Sequence, residues 1–217
     1  MEIINLGNNK TIFNHFISQI RNVNVQNDSM RFRRNIERIG EVFAYEISKH
    51  MHYVSNNITT PLGVSKEVLI SQKPVLATIL RAGLPLHQGL LNYFDNSDSA
   101  FISAYRKHGN KDDFEIEIEY MASPNLDGQT LILCDPMIAS GASMIMAMQA
   151  ILSKGTPKHI HIVGVIASSE GLAYLKANSP LKNVTIWVGA EDPKMNSKAY
   201  IIPGLGDAGD LAFGEKE

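Results

Sequence analysis

Three near-continuous apolar runs, at residues 131–134, 160–166 and 184–188, are separated by stretches at 144–154 and 170–177 with helical patterns. A strand that is apolar at every position is covered on both faces, as in a parallel sheet with helices above and below. Strand alternating with helix predicts a doubly wound α/β fold, with its ligand beyond the C-terminal ends of the strands. The same order is expected upstream. Pro74 opens an apolar run ending at Leu80, residues 83–93 look helical, and residues 100–104 read as another strand. Phe114, Ile116, Ile118 and Tyr120 alternate with Glu115, Glu117 and Glu119, which predicts one buried face and one wet face. Nearer the N-terminus, Phe13, Phe16, Ile17 and Ile20 share a helical stripe. Phe32, Ile36, Ile39 and Phe43 mark a second, with Asp28 or Ser29 expected to cap it.

The run at 131–134 leads into the most informative segment of the chain. It ends at Asp135, and the loop Pro136-Met137-Ile138-Ala139-Ser140-Gly141-Ala142-Ser143 opens the next helical stretch. Such a junction turns consecutive backbone N–H groups and a helix N-terminus toward one point, which suits a phosphate. Ser140 and Ser143 can donate to phosphate oxygens, and an acid at a strand end can accept from sugar hydroxyls. A phosphate donor beside a hydroxyl acceptor describes a phosphorylated ribose. The loop lacks both the Gly-Lys-Ser/Thr of a Walker motif and the spacing of a dinucleotide fingerprint.

This segment resembles the phosphoribosyl-pyrophosphate (PRPP) loop of type I phosphoribosyltransferases, and its single acid resembles the uracil branch. The tail Tyr200-Ile201-Ile202-Pro203-Gly204-Leu205-Gly206-Asp207-Ala208-Gly209-Asp210 is similar to that branch's uracil-binding segment. Ile79-Leu80-Arg81-Ala82-Gly83-Leu84, Tyr105-Arg106 and Arg31-Phe32-Arg33 match further family segments in order. The resemblance implies an α/β fold of the type I phosphoribosyltransferase kind, a mostly parallel sheet flanked by helices with an accessory hood or tail. It implies one domain over 1–217, with 1–30 as an N-terminal extension packing on the core and 189–217 as a uracil-binding tail.

The activity so implied is transfer of phosphoribose from PRPP to uracil N1, giving UMP and pyrophosphate, with Asp135, Arg106 and Asp207 as catalytic residues. PRPP binding is assigned to Arg81, Arg106, residues 135–143 and Asp207, and uracil binding to Ile201, Gly206, Asp207 and Ala208. The cofactor is Mg²⁺, held mainly by PRPP. A homodimer or larger homo-oligomer is expected, and GTP is an effector in part of the family. Departures from the family pattern include Ala142, Ala199, Leu211 and Glu215, and Pro85-Leu86-His87 where the family has small or flexible residues. If residue 142 needs a left-handed backbone, alanine there costs on the order of 1 kcal/mol. Two other readings remain beside this one: a nucleotide-sensing or RNA-binding regulator that kept the fold, and a phosphoribosyltransferase for another base.

Composition narrows these alternatives. Net charge of −2 and 19% charged residues argue against a protein that coats nucleic acid. The absence of a bilayer-length apolar stretch, of a leader pattern and of a second cysteine predicts a cytoplasmic location. Cys134 is expected to act as a small hydrophobe, and His159 with His161 as a structural or solvated pair. Arg31, Arg33, Arg34 and Arg38 form a basic helix face expected to be solvated or intersubunit.

Overall fold

The computed structural model describes residues 1–108 and 114–215, with side chains described outside 104–118. The chain begins with β1 (Glu2–Asn5), α1 (Phe13–Arg21) and α2 (Ser29–Ser48), followed by β2 (Tyr53–Thr60) and β3 (Gly63–Ile70). Next come β4 (Val75–Leu80), α3 (Leu84–Leu91), β5 (Asp98–His108), β6 (Phe114–Ala122), β7 (Thr130–Ile138) and α4 (Ala142–Ile151). The last elements are β8 (His159–Ser168), α5 (Ser169–Asn178), β9 (Val184–Asp192), β10 (Lys194–Met195), β11 (Ile201–Ile202) and α6 (Ala208–Phe213).

Seven strands form the central sheet in the order β1-β9-β8-β7-β4-β5-β6. Neighbours are parallel except β5 and β6. This is the expected mostly parallel sheet flanked by helices. Alternate strand residues feed two cores. Leu76, Ile132, Val163 and Trp187 pack with Phe13, Phe32, Phe43 and Leu86 of α1–α3. Val75, Leu131, Ile160 and Ile186 pack with Met148, Leu172 and Leu175 of α4 and α5. Each fully buried side chain of this size contributes about 1.5–3 kcal/mol by leaving water. That burial explains why both faces of β7–β9 are apolar.

From β4 the chain winds one way to β5, and from β7 the other way to β8 and β9. The reversal lies between β4 and β7, so their C-terminal ends diverge around a crevice. Leu80 and Asp135 reach this crevice from the two sides.

Asp28 caps α2 by accepting from the Arg31 N–H at 3.0 Å. The strand expected at 100–104 extends over β5, because β6 pairs along its length. Tyr120 was expected on a buried face but is 56% exposed; β6 is the sheet's edge strand, with a neighbour on one side only. The other members of that alternation, up to residue 118, lie outside the described side chains. His161 is buried, and its Nδ1 accepts from Trp187 Nε1 at 3.1 Å. Burial, with lesser effects of His159 and His50, pushes its pKa down to about 3, so at neutral pH it is a neutral core acceptor. Two features carried no sequence expectation, namely β1 on β9 and the separate β2–β3 hairpin. Among the described residues no helix is long and apolar enough to cross a membrane.

Candidate active site

A cavity of about 800 Å³ opens where β4 and β7 diverge, within the size range of small-ligand sites. Three segments from separate parts of the chain line it. They are 80–82 after β4, 135–144 across the β7–α4 junction, and 198–209 in the tail. Ser103 of β5 completes the wall.

The β7–α4 junction is shaped by its own backbone. The Met137 N–H donates to Asp135 Oδ1 at 3.1 Å, folding the strand end around the carboxylate. Burial pushes the Asp135 carboxyl up to about 7; the Met137 N–H holds it partly back, and the charge of Asp207 adds to the rise. Gly141 then takes a left-handed φ of 79° and directly precedes α4. A side chain there would be strained and would meet the Gly171 carbonyl oxygen at 2.9 Å. No side chain caps α4 with a standard N-cap bond; the Ala142 N–H reaches only Ser140 Oγ, at a long 3.4 Å. Its first turn therefore presents donors of the kind that receive a phosphate. Ser168 Oγ donates to the Ala139 carbonyl at 2.6 Å, fixing the loop to the start of α5.

Ala142 itself is helical. The left-handed position is Gly141, so the cost feared at residue 142 does not arise. Ala199 is different. Its φ of 60° makes it the only non-glycine residue with positive φ among those described.

The tail is assembled from distant partners. Arg21 of α1 grips Asp192 with both terminal nitrogens at 2.8 Å, and its Nη1 also donates to the Gly204 carbonyl at 2.9 Å. The Gly204 N–H donates back to Asp192 Oδ2 at 2.9 Å. Gln26 Nε2 holds the Leu205 carbonyl at 2.7 Å. Gly204, at φ 57°, packs so closely that a Cβ would meet the Ile201 oxygen. Asp207 Oδ1 accepts from the N–H groups of Gly209 and Asp210, capping α6. Arg33 Nη1 donates to the Ala212 carbonyl at 2.6 Å, so this member of the basic face braces the tail rather than being merely solvated.

Of the residues expected at the site, Arg81, Asp135, Met137, Ile138, Ala139, Ser140, Gly141, Ser143, Ile201, Gly206, Asp207 and Ala208 line this one cavity. Pro136 and Ala142 are part of the junction but not of the wall. Arg106 belongs to β5, and its side chain lies outside the described residues. The sequence did not single out Ser103 and Lys198 on the wall, or Arg21, Gln26 and Asp192 behind it, and Tyr200 only as part of the matched tail segment. Lys198 lay just ahead of the matched tail segment, which was the only available hint. The supporting trio had no local signature.

A family model described as uracil phosphoribosyltransferase matches residues 8–215. A curated uracil phosphoribosyltransferase of Porphyromonas gingivalis is 54% identical over 216 residues, covering 100% of both chains. Its Pyrococcus furiosus counterpart is 38% identical over 191 residues, covering 87% of this chain and 81% of the relative. Among solved structures, a protein of Aquifex aeolicus superposes with a TM-score of 0.85 at 29% identity, over 98% of each chain. A hypoxanthine phosphoribosyltransferase of Staphylococcus aureus gives 0.50 at 12% identity, covering 75% of this chain and 76% of that one, a likeness of fold alone.

Proposed function

The chain belongs to the uracil phosphoribosyltransferase family, and from that premise we propose how its residues divide the reaction. The enzyme transfers the 5-phosphoribosyl group of PRPP to N1 of uracil, producing UMP and pyrophosphate. One observation supports the division of labour: the β7–α4 junction and the tail share a single cavity.

Ser140, Ser143 and the first N–H groups of α4 hold the 5′-phosphate, since an uncapped helix start carries partial positive charge. Asp135 accepts from the ribose hydroxyls. Arg81 and Arg106 bind the diphosphate, for which a permanently charged guanidinium fork is suited. Backbone groups of Ile201, Gly206, Asp207 and Ala208 pair with the uracil edge. As pyrophosphate leaves C1, positive charge grows on the sugar and negative charge on the departing oxygens. The arginines stabilise the latter, while the tail keeps uracil N1 in line with C1.

Phosphoribosyltransferases generally use Mg²⁺ with PRPP. Among the described residues no group of three His, Cys, Asp or Glu is placed to hold a metal. The residues fit an ion held mainly by PRPP oxygens, with Asp207 on the wall of the same cavity. When bound, such an ion would neutralise charge on the leaving group. The tail, 189–217, acts as the hood of a single domain, with 1–30 packed behind it.

A homodimer or larger assembly is supported by the β2–β3 hairpin. Leu62 at its tip is 100% exposed, and Val64 and Val68 are 70% and 64% exposed. A lone two-stranded ribbon is marginal in water. Sedimentation of a Val64→Lys/Val68→Lys variant should show a smaller species than the unsubstituted chain. Buried, free Cys134 supports a reducing, cytoplasmic setting.

Purified protein with PRPP, Mg²⁺ and a panel of bases tests the substrate assignment by pyrophosphate release and product mass. UMP with uracil alone is expected; product only with another base would overturn it. Adding GTP at saturating substrates tests the effector role in the same assay.

A further inference from the structure

We propose that Asp210 competes with the donor's diphosphate for Arg81, so that loading the donor loosens the end of the tail. The inference rests on the assignment of Arg81 to the diphosphate made above.

Arg81 lies at the end of β4 on the cavity wall, yet its guanidinium is engaged by the tail. Nη2 donates to Asp210 Oδ1 at 2.9 Å and to the Gly214 carbonyl at 2.8 Å. A guanidinium nitrogen of this kind has two N–H bonds, so both are used. Nε is buried without a partner among the described residues. An arginine meets two oxygens of one anion through either of two edges, Nε with Nη2 or Nη1 with Nη2. Both edges include Nη2. A diphosphate gripped in bidentate fashion must therefore displace at least one tail acceptor.

The more highly charged anion is expected to prevail, because donor–acceptor strength rises with charge on the acceptor. What is lost spans α6, since Asp210 is in its first turn and Gly214 is its C-cap. Asp207 still caps its start, and Arg33 still holds the Ala212 carbonyl. Asp210, Gly214 or both are released, while the groups proposed to meet uracil stay on the wall. Asp210 is thus a positioning residue acting through Arg81, and it links the occupancy of the donor site to the order of the tail.

Magnesium pyrophosphate is the probe. Calorimetric titration of Asp210→Asn should show binding about three- to tenfold tighter than the unsubstituted protein, as expected when one charged competitor is removed. Hydrogen exchange at residues 208–214 should rise on adding pyrophosphate to the unsubstituted protein, and should already be raised in D210N without it. Arg81→Ala separates the two levels of the proposal. If R81A binds pyrophosphate normally, the diphosphate assignment fails and this inference with it. If R81A loses binding while D210N binds equally or more weakly, only the competition is overturned. Should D210N fail to fold, the unsubstituted protein decides: unchanged or slower exchange at 208–214 with pyrophosphate rejects the proposal.

Discussion

The β7–α4 junction and the tail face the same cavity but are held in opposite ways. The junction takes its shape from nine consecutive residues, 135–143, through an Asx turn, a left-handed glycine and a helix start. Its long-range ties are the pairing of 135–138 with β8 and the bond from Ser168 to Ala139. Beyond the end of β9 the tail has little regular structure of its own, two two-residue strands and a six-residue helix. It is fastened by Arg21, Gln26, Arg33 and Arg81 from elsewhere in the chain, and by Asp192 at the end of β9. The proposed phosphate site is thus shaped largely by local sequence, whereas the proposed wall for the base depends on the tertiary fold. Damage to the first should stay in the donor site, and damage to the second should arise from far away.

The sharpest test of local control is Gly141→Val. The added side chain would occupy a strained backbone and collide with the Gly171 carbonyl. KM for PRPP should rise roughly 100-fold, a loss of about 2.7 kcal/mol, while the uracil KM stays within about twofold of normal. Equal loss for both substrates would break the contrast. Arg21→Met asks the converse question. It leaves Asp192, 6% exposed in its side chain, without its partner, which costs several kcal/mol for a buried pair. The uracil KM should rise by at least about tenfold with the PRPP KM little changed, and melting should occur at lower temperature. Arg21→Lys should restore only part of the loss, since it lacks the fork.

Acidity offers a third comparison. Burial holds the folded-state pKa of Asp135 near 7, well above its unfolded value of 3.8. The stability tied to this group is therefore full below the unfolded value and is lost as pH rises through about 7. PRPP binding should run the other way, because ribose hydroxyls need the ionised acceptor. Its affinity should increase about tenfold between pH 6 and 8. Asp135→Asn should flatten both dependences; a pH response that persists in that variant would assign it elsewhere. The smallest effect belongs to Ala199→Gly. Relief of its positive φ should outweigh the added chain entropy and raise stability by on the order of 0.5 kcal/mol, read from the denaturation midpoint.

What was legible in the sequence follows the same division. The apolar runs of β7–β9 could be read because burial on both faces leaves no polar position to interrupt them. The junction was legible because its chemistry lies in contiguous residues. Ala142 and Ala199 were both noticed as departures, but only backbone torsions reveal which one carries the left-handed strain. Arg21 and Asp192 form a two-pronged ion pair behind the tail, yet neither has neighbours that set it apart from an ordinary surface charge. The β2–β3 hairpin escaped because it is exposed along nearly its whole length. A ribbon with water on both sides need not alternate, and alternation is the signal by which strands are found.

The placement of β1 beside β9 has a consequence for how the protein is made. Glu2 lies opposite Thr185, so the outer strand leaves the ribosome long before its partner exists. Arg21 and Gln26 wait in the same way for Gly204 and Leu205. Pairings so far apart in sequence form late, after a large loss of chain entropy. A nascent chain paused before residue 184 would hold an unfinished sheet edge and half of a catalytic pocket, in need of shelter from its neighbours.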